Sequence, residues 1–154
     1  MHTEFDFDPS ETLAPGVAEG LQYEHVREMF ADDMGSGFLG LKVTELTEDT
    51  CVGHFTVRPE MCNGHHTAHG GFLYAFADSL FAGASNAPGR VAVAAFNTMH
   101  YIAPVAEGAE VLGRAQIMHA WGRSGIVDVE LSVGGAAVAE FRGTYRVLPS
   151  KPKM

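Results

Sequence analysis

Five residues in one stretch have types and spacing that can do chemistry: Asn63, His69, Gly70, Gly71 and Asp78. The two glycines stand where a polar loop gives way to an almost wholly apolar run, which reads as a buried helix from about Gly71 to Ser85. Glycines at a helix start leave backbone N–H groups unshielded at the positive end of the dipole. Such a start can hold an oxyanion, or it can simply allow a tight turn into the helix. Asp78 interrupts the apolar run about two turns in, too far along to cap the helix or meet its N-terminal dipole. A carboxylate there is either tied into a structural hydrogen-bond network or functional. Desolvation beside Phe76, Leu80 and Phe81 is expected to raise its pKa, which suits a general base near neutral pH.

Spacing adds a constraint. Gly70 and Asp78 are eight residues apart, about 12 Å along one helix, whereas a donor and a base acting on one carbonyl must both lie about 3 Å from the reacting atoms. One chain does not supply both easily. Two such helices running antiparallel across a two-fold would place the start of one beside the middle of the other and create two equivalent composite sites.

His65, His66 and His69 form a second cluster, with the four-residue spacing of His65 and His69 that can chelate a metal on a helix. The segment carries Gly64 and precedes the helix, and no Cys or acidic third ligand is nearby, so structural or substrate-contacting imidazoles are expected and no metal. GxGxxG, P-loop and GxSxG patterns are absent, and no Ser, His and acid grouping points to an acyl-enzyme serine.

The elements that must position these residues follow from periodicity. Tyr23 to Met34 has helical spacing of Tyr23, Val26, Met29 and Phe30, closed by Asp32, Asp33 and the glycines after them. Phe38–Thr47 and Thr50–Val57 read as a hairpin stopped by Pro59. After the central helix, Asn86-Ala87-Pro88-Gly89 is a turn, and strands are expected at Val91–Tyr101, Ala109–Trp121, Ser124–Val133 and Ala137–Val147. The economical arrangement is an α+β fold in which an antiparallel sheet of about six strands curls round one long helix. Six strands cannot close round it, so one flank stays uncovered until a second copy covers it. Residues 1–20 read as a flexible or loosely docked acidic arm, 21–148 as the single domain and 149–154 as a tail.

Composition bounds the function. With 154 residues, 46% apolar and 19% charged, the chain fits one globular domain, and its longest apolar run is far short of the roughly 18 residues a membrane span needs. The acidic N-terminus lacks the features of a secretory signal, so a cytoplasmic location is expected. Cys51 and Cys62 cannot form a disulfide framework, in keeping with a reducing compartment. A net charge of −9 argues against nucleic acid as a partner. Arg90, Arg114, Arg123, Arg142 and Arg146 all follow the central helix, so an anion site belongs to the second half.

The stretch Asn63 to Asn86, NGHHTAHGGFLYAFADSLFAGASN, resembles the signature of hotdog-fold acyl-CoA thioesterases of the phenylacetic-acid-degradation (PaaI) type. Asn63, the run His69-Gly70-Gly71 and Asp78 match that motif in identity and spacing. The resemblance continues through NTMHYIAPV (Asn97 to Val105), the Gly122-Arg123 turn and EFRGTYRVL (Glu140 to Leu148). It implies a helix wrapped by an antiparallel sheet, dimers that share a continuous sheet, and often tetramers of those dimers. It further implies that the Gly70 amide polarises a thioester carbonyl, with His69 beside the thioester, and that Asp78 of the facing subunit activates water or attacks directly. Asn63 would help place the water or the carboxylate, and Arg123 and Arg90 are candidates for holding the phosphates of coenzyme A. Coenzyme A is then part of the substrate, and no cofactor is needed.

One position departs from the pattern. Some relatives carry a Ser or Thr near the catalytic acid on the first strand after the helix, where this chain has Ala94 and Ala95. The expected activity is hydrolysis of an aryl-acyl-CoA such as (hydroxy)phenylacetyl-CoA. Phe72, Tyr74, Phe76 and Phe81 are available to line an aryl pocket or to fill the core. A hotdog-fold hydratase or dehydratase, or a non-catalytic acyl-CoA-binding module, are the alternatives.

Overall fold

The computed structural model describes residues 7–150. Its centre is α3 (Gly70–Asn86), accompanied by two short helices, α1 (Glu24–Ala31) and α2 (Met34–Leu39). Six strands follow the order of the chain: β1 (Lys42–Leu46), β2 (Thr50–Thr56), β3 (Ala92–Tyr101), β4 (Glu110–Trp121), β5 (Ser124–Val133) and β6 (Ala136–Val147). They form one antiparallel sheet in the order β1-β2-β4-β5-β6-β3. The chain therefore leaves β2, runs through α3 across the concave face, and lands at the far edge as β3.

α3 lies on that concave face and touches all six strands. Leu73, Phe76, Ala77, Leu80, Phe81 and Ala84 recur at helical spacing and are all buried. Phe76 packs on Phe55 at 4.6 Å between ring centroids, and Phe81 meets Phe141 edge-on at 5.7 Å. The sheet has been cleared to let the helix press in. Gly53 and Gly113 are register partners on β2 and β4, and a Cβ on Gly113 would lie 2.4 Å from Leu80 Cδ1. The C-terminal end of α3 is fixed by buried Asn86, which donates to the carbonyls of Ala82 and Ala92 and accepts from the Ala92 N–H. His25 of α1 contacts the same Asn86 oxygen at 2.9 Å.

The four expected strands after α3 are present to within a residue at each end. The first half differs in two places. Phe38 and Leu39 belong to α2 and not to a strand, because Asp33 caps the helix by accepting from the Ser36 N–H at 2.9 Å and Gly40 ends it in the left-handed region. The helix expected from Tyr23 does close at Asp32-Asp33, whereas Gly35 and Gly37, expected as a break, lie inside α2. The segment expected as a flexible or loosely docked arm is packed against the domain wherever it is described: Val43 bonds to both Thr12 and Ala14, Leu13 bridges Val43 in parallel, and Thr12 and Ala18 are buried. That segment covers the open edge of β1. Residues 1–6 of the expected arm and 151–154 of the expected tail lie outside the described residues.

The opposite edge of the sheet is bare. Among the described residues β3 pairs only with β6, and it exposes Val93, Phe96 (68%), Tyr101 (52%) and, just beyond the strand, Ile102 (54%). Beside it runs the uncovered flank of α3, where Gly71 and Ala75 are exposed and Asp78 and Ala82 half-buried. No helix among the described residues is long and apolar enough to cross a membrane.

Candidate active site

After β2, a 3-10 turn (Pro59–Met61) buries Met61 and opens the loop that ends in α3. The loop is pinned on both sides. Cys62 bridges Ala68, the His69 N–H donates to Met61 O at 2.9 Å, and the Ala68 N–H donates to Val105 O at 2.8 Å. Inside it Asn63 is the organiser. Its Oδ1 accepts from the N–H groups of His65 (2.9 Å) and Thr67 (3.3 Å) and from the Thr67 hydroxyl (3.2 Å), leaving its NH2 group as donors for something else. His66, in the same turn, is held at φ 61°, a conformation few non-glycine residues adopt. The imidazoles of His65, His66 and His69 form no metal-binding group with other residues among those described.

His69 stands at the N-cap of α3 and offers no side-chain cap. The Gly70 and Gly71 N–H groups therefore have no hydrogen-bond partner among the described residues. Tyr101 of β3 donates its O–H to the Gly70 carbonyl at 2.9 Å. The space over Gly71 is open: a Cβ there would meet nothing within 4 Å. Two unshielded donors at a helix start, with free approach to one of them, can receive a carbonyl oxygen that is gaining negative charge.

Asp78 projects from the flank that carries Gly71, Ala75 and Ala82, and it accepts no hydrogen bond from the described residues. Burial pushes its carboxyl above the ordinary range, and the neighbouring Asp33 charge adds to the effect. Asn63, His69, Gly70 and Gly71 are thus brought together at the start of α3, while Asp78 stays about 12 Å along it. Arg90 and Arg123 are gathered at the other end. The Val147 N–H donates to Arg123 O and the Leu148 N–H to Val91 O, so both arginine-bearing segments meet at the end of β6. That end is about 25 Å from the start of the 17-residue α3. Phe76 and Phe81 are core residues, whereas Phe72 stacks on Phe38 and Tyr74 packs on Phe141 at the margin.

At Ala94 and Ala95, β3 has a bulge and no hydroxyl. Four side chains near the site, those of Tyr101, Asp33, Ser36 and Ser79, were not singled out as site residues from sequence. Tyr101 was visible only as part of a matching run, with nothing in the sequence to show that it reaches back to Gly70. Asp33, and Ser36 hydrogen-bonded to Ser79 at 2.8 Å, come together only in the fold. The Asp33-x-x-Ser36 spacing was the available signal, since it marks a capped helix start.

The acyl-coenzyme A thioesterase PaaI of Escherichia coli (strain K12) is 33% identical over 122 residues, covering 79% of this chain and 87% of the relative. The chain belongs to the thioesterase superfamily. The sequence profile of that superfamily matches residues 65–139, a span that includes His69, Gly70, Gly71, Asp78 and Arg123 and starts just after Asn63. The superfamily fold is recognisable in the solved structure of the E. coli PaaI protein from the phenylacetic acid degradation operon, with a TM-score of 0.81 and 31% identity over 84% of this chain and 94% of that one. A mutant structure of the phenylacetic acid degradation protein PaaI from Thermus thermophilus aligns with a TM-score of 0.73 and 43% identity over 75% of this chain and all of that one (100%). The hotdog fold, the family and the thioesterase class expected from the sequence are all borne out.

Proposed function

We propose that this chain hydrolyses an acyl-CoA thioester to the free acid and coenzyme A, with an aryl-acyl group of the (hydroxy)phenylacetyl kind as its preferred substrate. The observation that carries the reading is the pairing of two uncapped glycine N–H groups at the start of α3 with a desolvated carboxylate on the same bare helix flank. The names of the E. coli and Thermus relatives support the aryl group and a place in phenylacetate catabolism.

In this reading two copies join through their β3 edges and α3 flanks, which hides the exposed strand and makes the sheet continuous. The thioester oxygen accepts from the Gly70 N–H, with Gly71 beside it, and the partner's helix presents the second carboxylate. That carboxylate takes a proton from water as the water attacks the carbonyl carbon, or it attacks the carbon directly to give a mixed anhydride that water hydrolyses after the thiolate has left. The tetrahedral oxyanion then collapses, the C–S bond breaks, and the CoA thiolate leaves and is protonated. Asn63 holds the water or the carboxylate through its NH2 group, and His69 flanks the thioester. Arg123 and Arg90 lie too far from their own Gly70 to serve it, so they meet the CoA phosphates of the partner's site. A thioester is already activated, so the reaction requires no cofactor. Dimers of this kind, alone or paired into tetramers, act in the cytoplasm on a small-molecule substrate, without nucleic acid or membrane.

The test is thiol release from a panel of aryl-CoA and alkyl-CoA substrates. Faster turnover of phenylacetyl-type thioesters supports the reading, and no release from any of them contradicts it. Single-turnover hydrolysis in ¹⁸O water separates the two chemical routes, because label enters Asp78 only if the carboxylate is the nucleophile.

A further inference from the structure

A short hydrogen-bond chain ends beside the helical turn of Asp78. Asp33 Oδ2 accepts from the Ser36 hydroxyl at 2.5 Å, and the Ser36 and Ser79 oxygens are 2.8 Å apart. Both bonds are donated by the Ser36 hydroxyl, which divides its one proton between Asp33 Oδ2 and the Ser79 oxygen. Ser36 is 1% exposed, which shields the chain from competing water. Ser79 directly follows Asp78, so a second carboxylate lies two hydrogen bonds from the turn that carries the first.

We propose that Asp33 is a positioning residue for the reaction, anchoring the turn of Asp78 through Ser36 and Ser79 and setting a second negative charge beside it. The inference rests on the reading of Asp78 as the catalytic carboxylate. Two carboxylates placed together resist being ionised together. The repulsion is relieved as Asp78 takes a proton from the attacking water, so the second charge strengthens Asp78 as a base.

Other titratable groups do not share this role. On the elements packed against α3, His25 of α1 is engaged by Asn86, Tyr101 of β3 by the Gly70 carbonyl, and Cys51 of β2 and Tyr145 of β6 are buried in the core. On α3 itself, Tyr74 packs against Phe141. The charged residues of β4, β5 and β6 lie on the outer face of the sheet, away from the helix. Burial and the Asp33 charge are the two causes that raise the Asp78 carboxyl.

Asp33→Asn tests the proposal: it keeps the cap on the Ser36 N–H and removes the charge together with the acceptor of the Ser36 hydroxyl. Asp33→Ser, which also caps, serves if Asn disturbs folding. The Asp78 carboxyl is followed by ¹³C NMR titration, assigned by the signal lost in Asp78→Asn, together with the pH profile of kcat. Both are expected to move to lower pH in Asp33→Asn. Ser79→Ala, which cuts the chain and leaves the charge, is expected to lower kcat with KM unchanged. An Asp78 titration that does not move in either Asp33 variant, or an unaltered kcat in Ser79→Ala, overturns the proposal. The titration needs no turnover, so its failure is distinct from failure of the reading of Asp78 as the catalytic carboxylate, which would show as undiminished thiol release in Asp78→Asn.

Discussion

The Tyr101 hydroxyl reaches 2.9 Å across the start of α3 to the Gly70 carbonyl. The peptide linking Gly70 to Gly71 is planar and trans, so fixing that C=O also fixes the direction of the Gly71 N–H on its opposite side. A phenol on the edge strand thereby aims one of the two backbone donors of the site. β3 is also the strand whose outer edge is bare, so the donor geometry depends on a residue of that exposed edge.

Tyr101→Phe keeps the ring and removes the bond. Stability is expected to fall by only about 0.5–1.5 kcal/mol, the net worth of one hydrogen bond. The kcat for thioester hydrolysis should fall more than stability alone explains, with KM little changed. Urea unfolding and steady-state kinetics on the same preparation check the two together.

The glycine pair should respond asymmetrically to a methyl group. A Cβ on Gly70 would sit 2.8 Å from the Tyr101 ring, whereas one on Gly71 meets nothing within 4 Å. Gly70→Ala is expected to push the exposed Tyr101 ring aside and break its bond to the Gly70 carbonyl, at about 0.5–1.5 kcal/mol, the net worth of one hydrogen bond. Gly71→Ala is expected to leave the stability of the isolated fold unchanged or slightly raised, since Ala favours the helix, and to put a methyl group into the open space over the donor pair. Chemical denaturation separates the two variants, and thiol release should be impaired in both.

Asp78→Asn should lose about 10²–10⁴-fold in turnover, the usual contribution of a general base, while gaining stability near neutral pH. The sign follows from the raised carboxyl of the folded state. Below the ordinary carboxylate value both states hold the proton and Asp78 contributes nothing. Between that value and the raised folded one the unfolded chain ionises first, so stability falls as pH rises, and the loss is complete above the folded pKa. Tm measured against pH should show Asp78→Asn above the wild type at pH 7, with the two converging below about pH 4.

Arg123→Ala is expected to raise KM for the CoA thioester about tenfold, as befits one charge-assisted contact, without lowering kcat. The difference between variant and wild type should shrink as salt is added. A salt titration of KM on both proteins is the check.

What was legible in the sequence follows from which forces act locally. The apolar run from Phe72 to Ala84 could only be a covered helix, and the strands from Val91 onward alternate clearly between short turns, so both were placed almost to the residue. Phe38 and Leu39 misled because their apolar character suits a strand as well as a helix, and the arbiter is a cap between Asp33 and Ser36. Thr12 to Ala14 looked free because their partner, Val43, is far along the chain, and edge pairing leaves no periodic trace. The candidate site was legible only as a segment, since Asn63, His69, Gly70 and Asp78 lie on one stretch of chain. Tyr101 and the Asp33–Ser36–Ser79 chain were hidden because they join it through the fold.

The central claim is that each site takes its amide donors from one chain and its carboxylate from another, and subunit mixing tests it most directly. Asn63→Asp keeps an acceptor for His65 and Thr67 but removes the donor NH2 group, and Asp78→Asn removes the base. Each variant alone should be inactive in thiol release. Unfolded and refolded together in equal amounts, half of the dimers are mixed, and each mixed dimer has one site with both residues intact, so about a quarter of wild-type activity should return. No recovery in a mixture shown to contain mixed dimers would contradict a shared site and place Asp78 in the service of its own chain.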